Sequence, residues 1–348
     1  MPARLRLPVD PIRRQALIVA AVGTLALIVL DALVRDEGTP KGDDLIYELM
    51  ARHPLDPHTF PFAYRIGVPY LVHVLPFSHT FSFSLIAWLC SGAAGGFAYV
   101  LMRRLGGPPR LSAGLAIALV LCPPMFVASL RQGRSTDPAM ILAMVAATLY
   151  IVERRALALA VAIALGALTR ESAMFLIPFA YAMWAERPVD LSAARRVALV
   201  SAPAVAIYVG LRLGIPVASN RYTSVGDVLR SGLEGWKVQL RRLFIDFGPL
   251  WFIAPFALRD MRFARRGLVL IALCVVSLGF ALDWGRIFFV AAPVFYGASV
   301  WVLRDRPRLH APVLAAWAVL ILVYAVYMQL HGVQHGIIEI GPPAYPVQ

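Results

Sequence analysis

Apolar and polar positions fall in long blocks, not in the short alternation of a soluble fold. Eleven apolar runs lie near residues 15–34, 81–102, 111–130, 138–152, 156–169, 173–185, 197–215, 246–258, 267–282, 287–303 and 309–330, with Arg, Asp, Glu, Pro and Gly collected between them. A helix needs about 20 apolar residues to cross a hydrocarbon core about 30 Å thick. The pattern therefore predicts an all-α fold, a polytopic membrane bundle of about eleven transmembrane helices. Residues 1–348 form one domain in this reading, with no length left over for a second, soluble one.

Two intervening segments are long, and both carry their own periodicity. Residues 35–80 are the first; within them 44–52 (DDLIYELMA, from Asp44) is predicted to be an interfacial helix with Leu45, Ile46, Leu49 and Met50 on one face. Residues 63–77 are a second apolar stretch, too short and Pro-broken for a full crossing. Residues 216–245 are the other long segment. There Val228, Leu229, Leu233, Trp236, Leu240 and Phe244 recur at three- and four-residue spacing, as in an amphipathic helix that roofs a cavity or lies on the membrane. No internal repeat is evident. The first apolar run reads as an uncleaved anchor: it is long for a signal peptide, and no A-x-A site follows it.

Composition agrees. Hydrophobic residues make up 59% and charged residues 15% of the 348, with mean hydropathy +0.70, against about 45–50% and about 25% in soluble domains. An ordinary cytosolic enzyme and a disordered chain are excluded. The three cysteines, Cys90, Cys122 and Cys274, sit inside apolar runs and offer neither a disulfide nor a CxxC metal site. His53, Asp56 and His58, and the pair His331 and His335, match no structured metal spacing, so no metal ligands are assigned.

A net charge of +13 would suggest nucleic acid in a soluble protein. Here it follows the spans. With the N-terminus inside, alternate segments hold Arg4, Arg6, Arg13 and Arg14; Arg103, Arg104 and Arg110; Arg154 and Arg155; Arg187, Arg195 and Arg196; Arg259, Arg262, Arg265 and Arg266; and Arg304, Arg306 and Arg308. These segments take 19 of the 33 Lys+Arg and 6 of the 20 Asp+Glu, leaving 14 of each sign on the other side. The positive-inside rule thus accounts for the whole excess and sets the N-terminus in the cytoplasm of an inner (plasma) membrane. Nucleic acid is not an expected partner; membrane lipid is.

Ionisable groups at a membrane edge are costly and are functional candidates by default. They gather on the outer, periplasmic or exterior, side: Asp43, Asp44, Tyr47, Tyr64, Arg65, Arg134, Asp137, Arg170, Glu171, Asp283 and Arg286. Two of the corners, Thr169-Arg170-Glu171-Ser172 and Asp283-Trp284-Gly285-Arg286, join runs too short to reach the outer surface, so both are expected on the floor of a depression. Carboxylates mixed with arginines suit a hydroxyl that must be deprotonated beside a phosphate that must be held. Each residue also has a plainer reading. Asp43 suits an N-cap and Asp44 a helix dipole. Asp137 suits a helix start beside Pro138, and Arg170–Glu171 and Asp283–Arg286 suit internal ion pairs. Tyr47, Tyr64 and Trp236 suit an aromatic belt.

The segments Gly42-Asp43-Asp44-Leu45-Ile46-Tyr47-Glu48-Leu49-Met50-Ala51 and Pro61-Phe62-Ala63-Tyr64-Arg65-Ile66-Gly67-Val68-Pro69 resemble the first outer loop of the GT-C class of integral-membrane glycosyltransferases, most of all its compact bacterial multi-pass members. Thr169-Arg170-Glu171-Ser172 resembles that class's Thr-Lys/Arg-Glu-Thr/Ser corner, and Thr136-Asp137-Pro138 and Asp283-x-x-Arg286 resemble its later polar sites. The resemblance implies transfer of a sugar from a polyprenyl-phosphate donor to a lipid, glycan or protein acceptor at the outer leaflet. It implies an acidic base in the first outer loop, matched best by Asp43 with Asp44 beside it. It implies donor-phosphate or structural contacts from Arg65, Arg170 and Arg286. Some members of the class use a divalent metal and others do not. The chain departs from the class in its short length, in an additional acidic pair, Asp36-Glu37, and in the Arg of the TRES corner. A transporter or lipid/glycan flippase, or a polysaccharide polymerase or ligase, are the alternative readings.

Overall fold

The computed structural model describes residues 10–34, 43–130, 134–220, 226, 236–279 and 284–331. Asp36, Glu37, Asp283, Val228, Leu229, Leu233 and His335 lie outside the described residues.

Helix of two turns or more forms along every apolar run but 246–258. In order these are α1 (Pro11–Val34), α4 (His79–Arg104), α5 (Pro109–Leu121) with α6 (Pro123–Leu130), α7 (Asp137–Val152), α8 (Ala156–Thr169), α9 (Leu176–Trp184), α10 (Leu191–Gly214), α13 (Arg262–Leu278), α15 (Ala292–Leu303) and α16 (His310–His331). Between them come α2 (Asp43–Arg52), α3 (Gly67–Val74), α11 (Trp236–Phe247), the single turn α12 (Leu250–Ile253) and α14 (Trp284–Phe288). Among the described residues, five helical segments are long and apolar enough to cross a membrane, namely Pro11–Leu33, His79–Arg104, Leu191–Gly214, Trp284–Leu303 and Pro307–Tyr327; α5 with α6 makes a sixth if the bent pair is one span.

Sequence explains several breaks. The run at 111–130 is bent by 48° where Pro123 and Pro124 interrupt it, since Pro removes a donor and disfavours helix in the residue before it. The run at 173–185 starts in a 3-10 turn, Glu171–Phe175, before α9. The run at 246–258 is α12 followed by a 3-10 turn, Ala254–Leu258. α3 has eight residues, too few for a crossing.

Two short strands, β1 (His58–Phe60) and β2 (Val217–Asn220), run parallel and pair with one another. They clip the two long segments together, which helical periodicity alone could not disclose.

The core is a sheath of Ala, Leu, Ile, Val and Phe from α4, α5, α7, α8, α9, α13 and α15. Leu17, Leu25, Leu157, Leu165, Leu199, Leu213, Leu322 and Val323 face outward on peripheral helices. That is the inside-and-outside apolarity of a membrane bundle.

The bundle has two chemically different ends. α4 runs from His79 at one to Arg104 at the other, about 39 Å of helix for its 26 residues. At the Arg104 end, Arg104 Nε meets Glu153 Oε1 at 2.8 Å, Arg266 Nη1 donates to the Met183 carbonyl at 2.6 Å, and Arg262 Nη2 reaches the Ala185 carbonyl. Arg304 lies beside Gly106 at the same end. Acids and bases at the opposite end are interleaved, as described next.

Candidate functional site

Five segments deliver the polar residues, the last being α14 with Arg286. α2 opens with Asp43 and Asp44. The stretch after β1 brings Arg65 next to α3, and Gly67 allows the approach: a Cβ there would sit 2.9 Å from the Leu168 carbonyl oxygen. α7 opens with Asp137, whose backbone N–H donates to Ser135 Oγ at 3.1 Å while Pro138 occupies the first turn. That leaves the Asp137 carboxylate for other partners. α8 ends where Arg170 turns extended, and Thr169 Oγ1 donates back to the Gly166 carbonyl at 2.7 Å.

The side chains then interlock. Asp137 receives Arg170 Nη1 on one oxygen and Arg286 Nε, at 2.6 Å, on the other. The same Arg286 donates through Nη1 to Asp43 Oδ2 at 2.7 Å. One continuous row results, Asp43–Arg286–Asp137–Arg170, of alternating sign. Beside it Arg65 grips Glu171 with two bonds, Nε to Oε2 at 3.1 Å and Nη2 to Oε1 at 2.5 Å. Arg65 Nη1 also donates to Tyr47 Oη, which lies 3.3 Å from Thr136 Oγ1.

A third group joins α2 to the start of α4. Glu48 accepts from Arg134 Nε at 2.7 Å and lies 3.2 Å from His79 Nδ1, and Arg134 Nη2 donates to Thr80 Oγ1 at 2.9 Å. Burial pushes the Glu48 carboxyl up, but Arg134 and His79 beside it prevail and hold it below the usual carboxylate range.

Ten of the eleven residues singled out from sequence lie in described positions, and eight of them, Asp43, Tyr47, Arg65, Arg134, Asp137, Arg170, Glu171 and Arg286, make these cross-loop bonds. Tyr64 has a different partner. Its ring takes the Arg212 guanidinium at 4.6 Å, and Arg212 also lies 3.5 Å over Tyr208, so Tyr64 clasps α10 and not the charged row. Asp44 stands in the first turn of α2.

The apolar face expected of α2 is divided in the structure. Leu45 and Leu49 are exposed, but Met50 is fully buried beside Tyr47 and Ala51. Hydrogen bonding sets this rotation, because Tyr47 and Glu48 must face Arg65 and Arg134. Glu48 itself was missed; the signal was a carboxylate inside an amphipathic helix, one position from a candidate tyrosine.

A recess lies against the row. Asp137, Arg170 and Arg286 form its polar wall, and Pro124, Met125, Met140, Ile141, Phe289 and Val290 its apolar one. It has about 10 Å³ of free space, room for about one water molecule. Two donors near it, Arg170 Nε and Ser172 Oγ, are buried without a hydrogen-bond partner among the described residues. Among the described residues there is no group of three or more His, Cys, Asp or Glu that could hold a metal ion.

The chain matches no protein-family model and no curated protein.

Proposed function

We propose that the protein is an integral-membrane glycosyltransferase of the GT-C type, transferring sugar from a polyprenyl-phosphate donor to an acceptor hydroxyl on the outer side of the membrane. The observation that carries this reading is the row Asp43–Arg286–Asp137–Arg170, of which Arg286, Asp137 and Arg170 line a recess whose other wall is apolar. A lipid-linked phosphate needs both walls, one for the anion and one for the chain attached to it.

The chemistry follows from the charges. An incoming phosphate competes with Asp43 for the planar fork of Arg286, and with Asp137 for Arg170. Asp43, released from Arg286, takes the proton from the acceptor hydroxyl. The acceptor oxygen forms its bond to the anomeric carbon, and the bond from that carbon to the phosphate oxygen breaks. Polyprenyl phosphate leaves with the electron pair, its negative charge held by the arginines. General-base help of this kind contributes about 10²–10⁴-fold. The recess must widen before a donor enters, so donor binding parts side chains that touch in the structure.

The placement that goes with this reading is an inner-membrane protein with eleven crossings, the N-terminus cytoplasmic and the charged row outward. The Arg104 end, with its excess of arginine, then faces the cytoplasm. No divalent metal is assigned.

The experiment is sugar transfer from a lipid-linked donor by purified protein in bilayers, comparing the wild type with Asp43→Asn and Asp44→Asn. Loss at Asp43 with retention at Asp44 is the expected result. Full activity in a folded Asp43→Asn protein overturns the base assignment.

A further inference from the structure

Helix α11 is amphipathic in the inverted sense. Its apolar residues Trp236, Leu240 and Phe244 are 46–48% exposed, whereas Gln239, Arg242 and Asp246 on the opposite face are at most 9% exposed. A helix lying on a membrane puts its polar face in water. This one turns its polar face into the protein, and that face has a specific target.

The target is the turn that carries Arg286. Gln239 Oε1 accepts from the backbone N–H of Trp284 at 3.1 Å, the first residue of α14. One residue on, Gly285 lets the turn press directly on α11: a Cβ there would lie 3.1 Å from Asp246 Oδ2 and 3.2 Å from Arg242 Cβ. Arg286 follows, with its fork divided between Asp137 and Asp43. Two bonds at 2.6 and 2.7 Å from one guanidinium tolerate little displacement of its backbone.

We propose that Gln239 is a positioning residue for Arg286: by fixing the backbone of Trp284 it sets where the Arg286 fork meets Asp43 and Asp137. Its part in transfer rests on the function proposed above; its part in the geometry does not. α11 therefore belongs to the site through its buried polar face.

The test separates the two. The native cysteines are replaced by Ala, and Cys is placed at positions 43 and 286 (Asp43→Cys with Arg286→Cys). A short bis-thiosulfonate reagent then reports the approach of α2 to α14, with no substrate needed. Gln239→Leu, which keeps bulk and loses the acceptor, is expected to lower the cross-linking yield several-fold. Gln239→Glu, which keeps an acceptor, is expected to restore it. Gly285→Ala pushes the same turn away from α11 and is expected to lower the yield as well.

Unchanged yields in both Gln239→Leu and Gly285→Ala overturn the proposal. In the protein with Asp43 and Arg286 intact, Gln239→Leu is expected to cut transfer about 10-fold or more, with no further loss when Arg286 is already Ala. Loss of transfer with unchanged cross-linking also overturns positioning. A wild-type protein without transfer activity refutes the glycosyltransferase reading and leaves the cross-linking result to decide this one.

Discussion

Arg286 and Asp137 stand 149 positions apart and meet at 2.6 Å. Asp137 is also bound by Arg170, and Arg286 also by Asp43, so each member of the pair is shared. The row therefore responds as a unit. Removing an end residue leaves one bond unmade; removing an inner one exposes two like charges to each other.

Asp137→Ala is expected to be the most destabilising single change in the row. It leaves Arg170 and Arg286 facing one another without their shared acceptor, and breaking a buried pair this way costs about 3–5 kcal/mol. Thermal unfolding of the purified protein checks this. A loss no greater than that of Asp43→Ala contradicts the shared-acceptor geometry.

Arg286→Lys is expected to behave like Arg286→Ala in transfer. Nε and Nη1 point at two different carboxylates, and a single ammonium cannot reproduce a planar fork. Substantial activity in the Lys variant shows that charge alone suffices at this position.

How far the sequence discloses this site depends on what each residue's position was determined by. Asp43, Arg65, Asp137, Arg170 and Arg286 interrupt apolar blocks on the same side, and membrane cost makes such residues conspicuous. In the structure they converge at one end of the bundle. The face of α2 was only partly legible, because the apolar face of an interfacial helix includes Met50, which the Tyr47 and Glu48 bonds turn into the protein while Leu45 and Leu49 stay exposed. The direction of Tyr64 was not legible because adjacency to Arg65 says nothing of where a side chain points, and a cation on α10 takes its ring. Gln239 and Asp246 were invisible for a related reason. Periodicity identifies the apolar stripe of α11 but not which side of the helix the protein occupies.

Arg154→Gly is expected to stabilise the protein by about 1 kcal/mol. Arg154 ends α7 with φ of +57°, and Arg155 N–H closes the turn onto the Tyr150 carbonyl at 2.9 Å. An L residue with a side chain is strained there, whereas glycine is not. A drop in unfolding temperature shows that the arginine side chain contributes more than its backbone strain costs.

The acid limb of the stability profile is expected to depend on Glu48. Its carboxyl lies below the ordinary value near 4.5, because Arg134 at 2.7 Å and His79 at 3.2 Å prevail over burial. A carboxylate depressed on folding stabilises the folded state fully above its unfolded pKa, and the contribution fades as pH falls through the folded one. Wild-type stability should therefore decline on acidification from about pH 4.5 downward. In Glu48→Gln the charge is gone at every pH, so that share of the decline should vanish. The same variant should be less stable at neutral pH by about 3 kcal/mol, because the buried ion pair with Arg134 is broken. Unfolding followed from pH 7 to pH 3 for both proteins decides the matter: parallel curves would mean that the Glu48–Arg134 pair does not titrate with folding, and convergence at low pH is the expected result.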